Sequence, residues 1–360
     1  SNKFNLSFTE KIKENLRKLI YSSTNRLLNL HTKNYYKSLG LFDSSYSNII
    51  NKLDYDIVQL HWINGFLSIN DIVKIKKPIV WRFSDFWPCS GIYHYENFRN
   101  HGQNYFLSKI NDFIKKIKFD LWNKELNIIT PSEWMKNELE KSQSFKNYHV
   151  DVIYTPIDNN IFKKIDDKYI RKKNGISTKK KILLFGADNL NDKRKGFLDI
   201  FEIFKSNYLN KEEYELITFG KSRNILNTIK DLKVHNFGFI ESKDKLNEIY
   251  NCADVMLVTS SVDNLPQVGL EAQMSGLPLI VYNNSGLLEL IQKGKTGLVA
   301  DNKSIVSLTQ QIRLFFDDEN LKKEFSFNSV IRANKIFSEN VVYQKYQTIY
   351  NNIYKKKLII

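Results

Sequence analysis

The sequence predicts an α/β protein made of two Rossmann-like domains, each with a doubly wound parallel sheet. Three observations lead to this fold class. Short apolar segments of strand length alternate with helical segments, which is typical of parallel sheets covered by helices. The length of 360 residues is too great for one ordinary domain and suits two. A hydrophobic content of 42% supplies two sizeable cores.

The first half of the chain shows this alternation weakly. Its first 50 residues are predicted to be helical and basic, with no strand. We interpret four later segments as strands, at residues 56–62, 77–85, 126–132 and 149–158. Because the last of them runs into a linker, the first domain is expected to cover residues 1–155.

The second half shows the alternation plainly. Strands are predicted at residues 181–186, 214–220, 234–240, 254–260 and 278–283, with an edge strand at 296–301. Helices are predicted between them, and Ser242 is the expected N-cap of the helix at 242–253. In such sheets ligands bind at the carboxyl ends of the strands, so a cleft facing those ends is expected.

The chain carries a net charge of +15, which predicts an anionic partner such as a lipid surface, a phosphorylated substrate or nucleic acid. A general bias towards Lys, Asn and Ile would give the same excess, and both explanations stay open. The lysines are dispersed and no nucleic-acid-binding motif is present, so nucleic acid is not expected. Cys89 and Cys252 have no metal spacing, and neither a secretory signal nor a membrane-spanning apolar run occurs. These features predict a cytoplasmic protein.

Two acids flank the start of a predicted helix in the stretch SVDNLPQVGLEAQMSGLPLI, residues 261–280. Asp263 follows the strand at 254–260, and Glu271 lies in the first turns of the helix. The N–H groups at that helix start suit a diphosphate, while Glu271 suits a ribose diol and Asp263 suits the hydroxyls of a sugar. The spacing therefore fits a nucleotide-sugar. Acids that merely satisfy a helix dipole give the same pattern, and spacing alone favours that simpler explanation.

The same stretch resembles the E-x7-E signature of the retaining GT-B glycosyltransferases of family 4, glycosyl transferases group 1. Here Asp263 replaces the first glutamate, and Ala187 replaces the arginine that usually follows the strand glycine. Further motifs follow in the family's order. They are Phe185-Gly186 with Lys193 to Gly196, Phe237 to Ile240, Asn283 to Glu289, Gly294 to Gly297, and the linker motif Thr155 to Asp158 with Phe162.

The resemblance implies a GT-B fold whose second domain covers 156–337 and whose last helix, 338–360, packs back on the first domain. It also implies transfer of a sugar from a nucleotide-sugar, UDP- or GDP-linked, with retained configuration and with neither cofactor nor metal. Asp54-Tyr55-Asp56 has the form of a metal motif, but it precedes a strand and we interpret it as chance. The catalytic candidates are Asp263, Lys195, Ser84 and Asp85. The donor-binding candidates are Gly186, Arg194, Lys195, Phe239, Ile240, Asn264, Leu265, Pro266, Gln267, Val268 and Glu271.

Residues 60–95 are similar to a bacterial subgroup of that family, except that Ser84 stands in place of a histidine. The acceptor-side candidates are His61, Asn64, Gly65, Trp87 and His94. A core position is an equal alternative for His61, and a core position is favoured for Trp62, Trp81 and Trp87. The family's opening strand, Gly-Gly loop and helix have no counterpart before residue 56.

The subgroup implies a saccharide or polyprenyl-diphosphate-linked acceptor, in capsule or O-antigen synthesis at the inner face of the cytoplasmic membrane. Residues 11–28 and 109–125 combine lysines with apolar residues at helical spacing. Each segment suits a helix lying on anionic lipid or a helix packed on the protein, and both stay open. Ser84 and the missing opening unit leave a catalytically impaired nucleotide-sugar-binding protein as the alternative, with a nucleotide-sugar epimerase as a further one.

Overall fold

The computed structural model describes residues 7–29, 37–95, 105–122, 125–222 and 232–359. The chain divides into two compact units. The amino-terminal unit comprises the residues up to Ile153 together with those from Tyr346 onward, and the carboxy-terminal unit comprises Tyr154–Lys345. Each unit is built around its own parallel sheet and hydrophobic core.

The amino-terminal unit contains a four-stranded parallel sheet in the order β1-β2-β3-β4. Its strands are β1 (Val58–Leu60), β2 (Ile79–Arg82), β3 (Asn127–Thr130) and β4 (Val150–Val152). All of β2 is buried, and Trp81 packs edge-on against Phe83 and Trp122 with ring centroids 4.9 and 5.1 Å away. Strands that follow one another in the chain are neighbours in this sheet, so their described order never reverses.

The helices of this unit connect and cover those strands. They are α1 (Phe8–Asn29), α2 (Tyr46–Lys52), α3 (Ile69–Lys74), α4 (Tyr105–Leu121) and α5 (Glu133–Glu140). Ser68 forms a capping box with Asp71 at the start of α3. Tyr346, in the chain's last helix, accepts a hydrogen bond from Arg82 of β2 at 3.2 Å.

The carboxy-terminal unit contains a six-stranded parallel sheet in the order β10-β9-β8-β5-β6-β7. Its strands are β5 (Lys181–Asn189), β6 (Tyr214–Lys221), β7 (Lys233–Asn236), β8 (Val255–Val258), β9 (Leu279–Tyr282) and β10 (Gly297–Ala300). The order reverses between β5 and β8, as in the Rossmann fold. The chain therefore leaves these two adjacent strands in opposite directions, which opens a crevice at their carboxyl ends.

The helices that follow these strands complete the carboxy-terminal unit. They are α6 (Asp167–Lys173), α7 (Phe197–Lys205), α8 (Lys243–Cys252), α9 (Gln267–Met274), α10 (Ile305–Asp317), α11 (Glu319–Phe337) and α12 (Glu339–Ile359), whose last part belongs to the other unit. Short 3₁₀ helices cover Lys193–Lys195 and Ser285–Leu290.

The predicted strands are confirmed in position, including β10 at the sheet edge, and Ser242 caps α8 by accepting from Lys245 N. Several of them were predicted too long, above all 149–158, of which β4 covers only Val150–Val152, and 234–240. β7 ends at Asn236 because Gly238, with φ +62°, turns the chain and its carbonyl accepts from Gly220 N at 2.6 Å. Helices α10 and α11 were not predicted.

The two basic amphipathic segments are helical, as expected. The inner side of α4 is buried and carries Asn111, Ile114 and Lys118, whereas Phe106 and Phe113 on the same helix are exposed. Among the helices of the described residues, none combines the length and apolar character needed to cross a bilayer.

Candidate functional site

The carboxy-terminal unit brings two predicted catalytic residues together where its strand order reverses. Lys195 lies in the connection after β5 and Asp263 lies in the connection after β8. Lys195 Nζ is 2.5 Å from Asp263 Oδ2, and Arg194 Nη1 is 3.2 Å from the same oxygen. Lys195, Arg194 and Asp263 therefore form a cation-carboxylate cluster, which the sequence did not predict, at the edge of the sheet where such folds bind ligands.

Close backbone packing holds the first of these loops in place. The turn Lys193–Lys195 is capped by Asp192, whose carboxylate accepts from Arg194 N at 2.9 Å. Gly196 follows with φ +78°, and a Cβ there would lie 2.0 Å from the Thr259 carbonyl oxygen. Thr259 Oγ1 in turn donates to the Gly196 carbonyl at 3.0 Å. Because glycine alone fits this approach, the loop that carries the cations is locked against the end of β8.

Asp263 is buried but remains ionised. Burial alone would raise the pKa of its carboxyl, but Lys195 and Arg194 hold that pKa below its ordinary value. Arg194 also pairs with Asp192, at 3.1 Å. Lys195 pairs with Asp263 alone among the carboxylates of the described residues. An ammonium has three donors, and the side chain of Lys195 stays partly exposed, so Lys195 can hold Asp263 and a second anion together.

The turn between Asp263 and α9 is shaped by a glycine from another segment. A Cβ on Gly286 would lie 1.3 Å from the Asn264 carbonyl oxygen, and Gly286 N donates to the Asp263 carbonyl at 3.1 Å. Pro266 precedes the first residue of α9, Gln267, and provides no side-chain cap to its N–H groups. The other predicted residues of this turn are buried Leu265 and half-buried Val268.

Glu271 sits further along α9 in a separate hydrogen-bond network. Tyr250 of α8 donates its hydroxyl to Oε2, and Gln267 donates its amide to Oε1, both at 2.8 Å. Burial raises the pKa of Glu271, and these two donors reduce the shift only in part. Sequence reasoning found Gln267 but missed Tyr250, because a residue on a neighbouring helix leaves no local signal beside Glu271.

The remaining predicted donor-side residues lie within β5 and after β7 of the same sheet. Gly186 lines a small cavity with Lys195 and Pro266, and a Cβ on it would meet the Phe219 ring at 1.9 Å. Phe239 follows β7 and is exposed, with Lys221 Nζ 4.7 Å from its ring centre. Ile240 beside it is half-buried.

The amino-terminal unit gathers its predicted residues at the carboxyl ends of β1 and β2. One small cavity there is lined by His61, Asn64, Ser84, Asp85 and Trp87 among others. His61 and Ser84 are exposed. Partial burial and then the charge of Arg82 lower the pKa of His61, so its ring is neutral at neutral pH and accepts from the Gln59 amide at 2.8 Å.

Asp85 and His94 are buried and paired with each other. His94 Nδ1 donates to Asp85 Oδ2 at 2.7 Å, and Trp87 N donates to Asp85 Oδ1 at 3.0 Å. On the other side of the ring, His94 Nε2 lies 3.1 Å from Ser38 Oγ and 3.4 Å from Asn64 Nδ2. Both carboxylate oxygens of Asp85 are thus engaged inside the unit, which suits a positioning role better than the catalytic role predicted for it.

Two further acceptor-side predictions fall on packing positions. Trp87 is buried, as favoured for a core residue, and its indole N–H donates to the Ser38 carbonyl at 2.9 Å. Gly65, with φ +77°, packs under α1, where its carbonyl accepts from Arg17 at 2.8 Å. The core position favoured for Trp62 was wrong, because this side chain is 56% exposed. Its exposure depends on how β1 ends, which the sequence pattern does not reveal.

Comparisons with known proteins identify what this chain is similar to. Residues 166–330 match the glycosyl transferases group 1 family. The chain is 25% identical over 211 residues to N-acetyl-alpha-D-glucosaminyl L-malate synthase of Bacillus anthracis, covering 58% of this chain and 55% of that protein. It is 23% identical over 244 residues to the amylovoran biosynthesis glycosyltransferase AmsD of Erwinia amylovora, covering 66% of each. The matches therefore span between half and two thirds of these relatives' lengths.

The fold also matches solved structures. Anabaena Alr3699/HepE in complex with UDP-glucose superposes with a TM-score of 0.63 at 14% identity, covering 98% of both chains. At this identity the likeness concerns the fold alone. Together with the two parallel sheets and their flanking helices, it gives the GT-B fold that the motifs predicted.

Proposed function

We propose that the protein is a retaining, metal-independent glycosyltransferase, because residues 166–330 match the glycosyl transferases group 1 family and the chain has the GT-B fold. It would move a sugar from a nucleotide-sugar, UDP- or GDP-linked, to a saccharide or lipid-linked saccharide. The single observation that carries the proposal is the contact of Lys195 and Arg194 with Asp263 at the reversal point of the sheet.

The proposed donor site follows from the chemistry of that cluster. A diphosphate needs cations and N–H donors, which Lys195 and the start of α9 supply. Asp263 would accept hydrogen bonds from hydroxyls of the transferred sugar, and Glu271 would accept them from the ribose. Gln267 is exposed and donates to Glu271, so its amide is the group that the ribose would displace. Phe239, exposed after β7, would border the base.

The proposed reaction breaks the bond between the anomeric carbon and the diphosphate oxygen and forms a bond to an acceptor hydroxyl on the same face. The proton of that hydroxyl passes to the leaving diphosphate. Lys195 stabilises the negative charge that grows on this group, an effect worth about 3 kcal/mol for one well-placed donor. The charge on Asp263 keeps Lys195 fixed in position before the donor arrives.

The acceptor side and the biological role are proposed from the relatives and from the surface of the amino-terminal unit. The relatives include an amylovoran biosynthesis glycosyltransferase, which favours surface polysaccharide as the product. The net charge of +15 and the exposed Phe106 and Phe113 on basic α4 favour action on a lipid-linked acceptor at an anionic membrane surface. Ser84, exposed at the end of β2, would hydrogen-bond where the subgroup has a histidine.

A donor screen tests the proposal. We would measure the melting temperature of the protein with UDP-, GDP- and ADP-sugars, and then measure release of the nucleoside diphosphate from any sugar that stabilises it. Stabilisation by one donor class with turnover is expected, and Glu271→Ala should lose both. Stabilisation without turnover or transfer would favour the impaired binding protein instead. An isomerised donor would identify an epimerase, and no stabilisation by any donor would reject the donor site.

A further inference from the structure

The amino-terminal unit presents a tryptophan whose position calls for an explanation. Trp62 lies two residues beyond the end of β1, is 56% exposed, and stacks on the His94 ring with centroids 5.0 Å apart and planes inclined by 20°. Exposing a side chain of this size to water is unfavourable, since burial of such a ring is stabilising. An exposed indole on a well-supported surface is typical of a binding site.

The support beneath Trp62 is a set of buried groups in contact one after another. His94 is fixed by Asp85, and the Trp87 ring is stacked on His94 at 6.4 Å with planes inclined by 25°. Lys118 Nζ lies 3.4 Å from the centre of the Trp87 ring. We call the rings of Trp62, His94 and Trp87, with the Lys118 ammonium, the aromatic column.

Helix α4 fastens the inner end of the aromatic column. Lys118 donates to the carbonyls of Trp87, Ser90 and Gly91, the last at 2.7 Å. One buried residue two turns earlier, Asn111, accepts from Gly91 N at 3.0 Å. These hydrogen bonds fix the loop that carries His94, and the Trp62 indole stacked on His94 is fixed with it. A rigid platform binds a ligand with little loss of side-chain entropy.

Polar groups stand beside the platform. His61 and Ser84 are exposed neighbours at the same strand ends, and Asn64 lines the cavity that Trp62 also lines. A flat apolar surface next to hydrogen-bonding groups fits a pyranose ring, which has a face of C–H groups and an edge of hydroxyls. A protein partner would need a larger apolar surface than one indole. A phosphate would need a cation that is not already engaged, whereas Arg82, which lines this cavity, is buried and donates to the Ile153 carbonyl and the Tyr346 hydroxyl.

We propose that Trp62 is the stacking platform for a sugar ring, held by the aromatic column and flanked by His61 and Ser84. The proposal deepens the proposed function, because the bound sugar would be the acceptor residue. Asp85 and His94 are positioning residues in it, since they act on the sugar only through Trp62.

The test reads Trp62 directly. Five tryptophans give five indole N–H signals in a protein labelled with ¹⁵N at tryptophan, and Trp62→Phe assigns the one that disappears. The probes are the methyl glycosides of glucose, galactose, mannose, N-acetylglucosamine and N-acetylgalactosamine. At least one is expected to shift the Trp62 signal and to leave those of Trp81 and Trp122 unchanged. If no glycoside shifts it at concentrations up to the solubility limit, the proposal is overturned.

Variants separate stacking from folding. Trp62→Leu should weaken binding of the shifting glycoside roughly tenfold, the size expected for a lost aromatic contact, and Trp62→Phe should retain part of it. Tyr55→Leu is the matched control, because Tyr55 is also an exposed aromatic near β1 (57%) and should leave binding unchanged. Equal glycoside binding by Trp62→Leu and the wild type would refute the platform.

The outcome is distinguishable from that of the proposed function. Donor stabilisation and release of nucleoside diphosphate from the donor in water depend on the carboxy-terminal unit and should survive Trp62→Leu, whereas transfer to the glycoside should show a higher KM for the glycoside. A glycoside shift in a protein that uses no donor would support the platform and reject the transferase. Transfer to the glycoside with an unchanged KM in Trp62→Leu would support the transferase and reject the platform.

Discussion

The two units have different sheet topologies and gather their candidate residues in different ways. In the carboxy-terminal unit the strand order reverses, and loops from two adjacent strands bring Lys195 against Asp263. In the amino-terminal unit the described strands follow in sequence, and the rings of Trp87, His94 and Trp62 are stacked one on the next. A reversal in strand order creates a crevice for a large anion. Neighbouring strands in sequence leave a shallower surface, which an aromatic side chain can turn into a binding site.

The same comparison holds for buried charge. Asp263 is charged because Lys195 and Arg194 lie against it, and we propose that this cluster prepares the donor side for a diphosphate. Asp85 is buried with hydrogen-bond donors on both oxygens, one of them from His94. We infer that charge acts on the ligand in one unit and on the protein itself in the other. Four predictions test this contrast.

The largest effect is expected for Lys195→Ala. Removing the cation nearest to Asp263 should lower kcat for the donor by roughly 10² to 10³, as for loss of one group that stabilises a developing anion. The measurement is release of nucleoside diphosphate at saturating donor. Lys193→Ala is the control, because Lys193 lies in the same turn but is exposed. Near-normal turnover in Lys195→Ala would show that the cluster is only structural.

Lys118→Met should be the most destabilising change in the amino-terminal unit. It leaves the carbonyls of Ser90 and Gly91 buried without their donor, at a cost of about 3 kcal/mol in the free energy of unfolding. Urea unfolding followed by tryptophan fluorescence gives the value. Lys116→Met, on the exposed side of α4, should be close to neutral. Equal stability of the two variants would mean that α4 does not hold the column.

Gly286→Ala should destabilise the carboxy-terminal unit, because the added methyl group has no room. A methyl group 1.3 Å from the Asn264 carbonyl forces the backbone to move, which should cost about 2 kcal/mol in unfolding free energy and weaken donor binding. Gly175→Ala provides the comparison, since Gly175 has open space around it and only a strained φ of +68°. Donor affinity should fall in the first variant alone, as measured by isothermal titration.

The smallest effect is expected for Glu271→Gln, which should raise the stability of the protein slightly instead of lowering it. Burial raises the pKa of Glu271 in the folded protein, so its ionisation costs stability, and this cost grows as pH rises through the folded pKa. The variant should therefore melt slightly higher than the wild type at neutral pH, and the two should converge in acid. Donor binding should nevertheless weaken, because the amide cannot accept from both ribose hydroxyls. A melting temperature of Glu271→Gln below that of the wild type at neutral pH would contradict this prediction.

The candidate-site residues that lie in recognisable motifs could be predicted from the sequence. Lys195 and Asp263 belong to motifs that follow successive strands, and strand ends are visible in the apolar pattern. Tyr250 beside Glu271 and Lys118 beneath Trp87 were missed, because each acts across elements that are distant in sequence. Phe237 to Ile240 were placed in a strand because they are apolar, although the turn at Gly238 ends β7 before them.

The sequence by itself determined the alternation of strands and helices and the order of the motifs, because these depend on local pattern. Only the tertiary structure decided that Asp85 is enclosed, that Trp62 faces solvent and that Glu271 is held by Tyr250. Whether a residue is buried, and which residues it contacts, depends on which distant segments of the chain meet. A sequence pattern shows that one face of a helix or strand is apolar, but it does not show which segment covers that face.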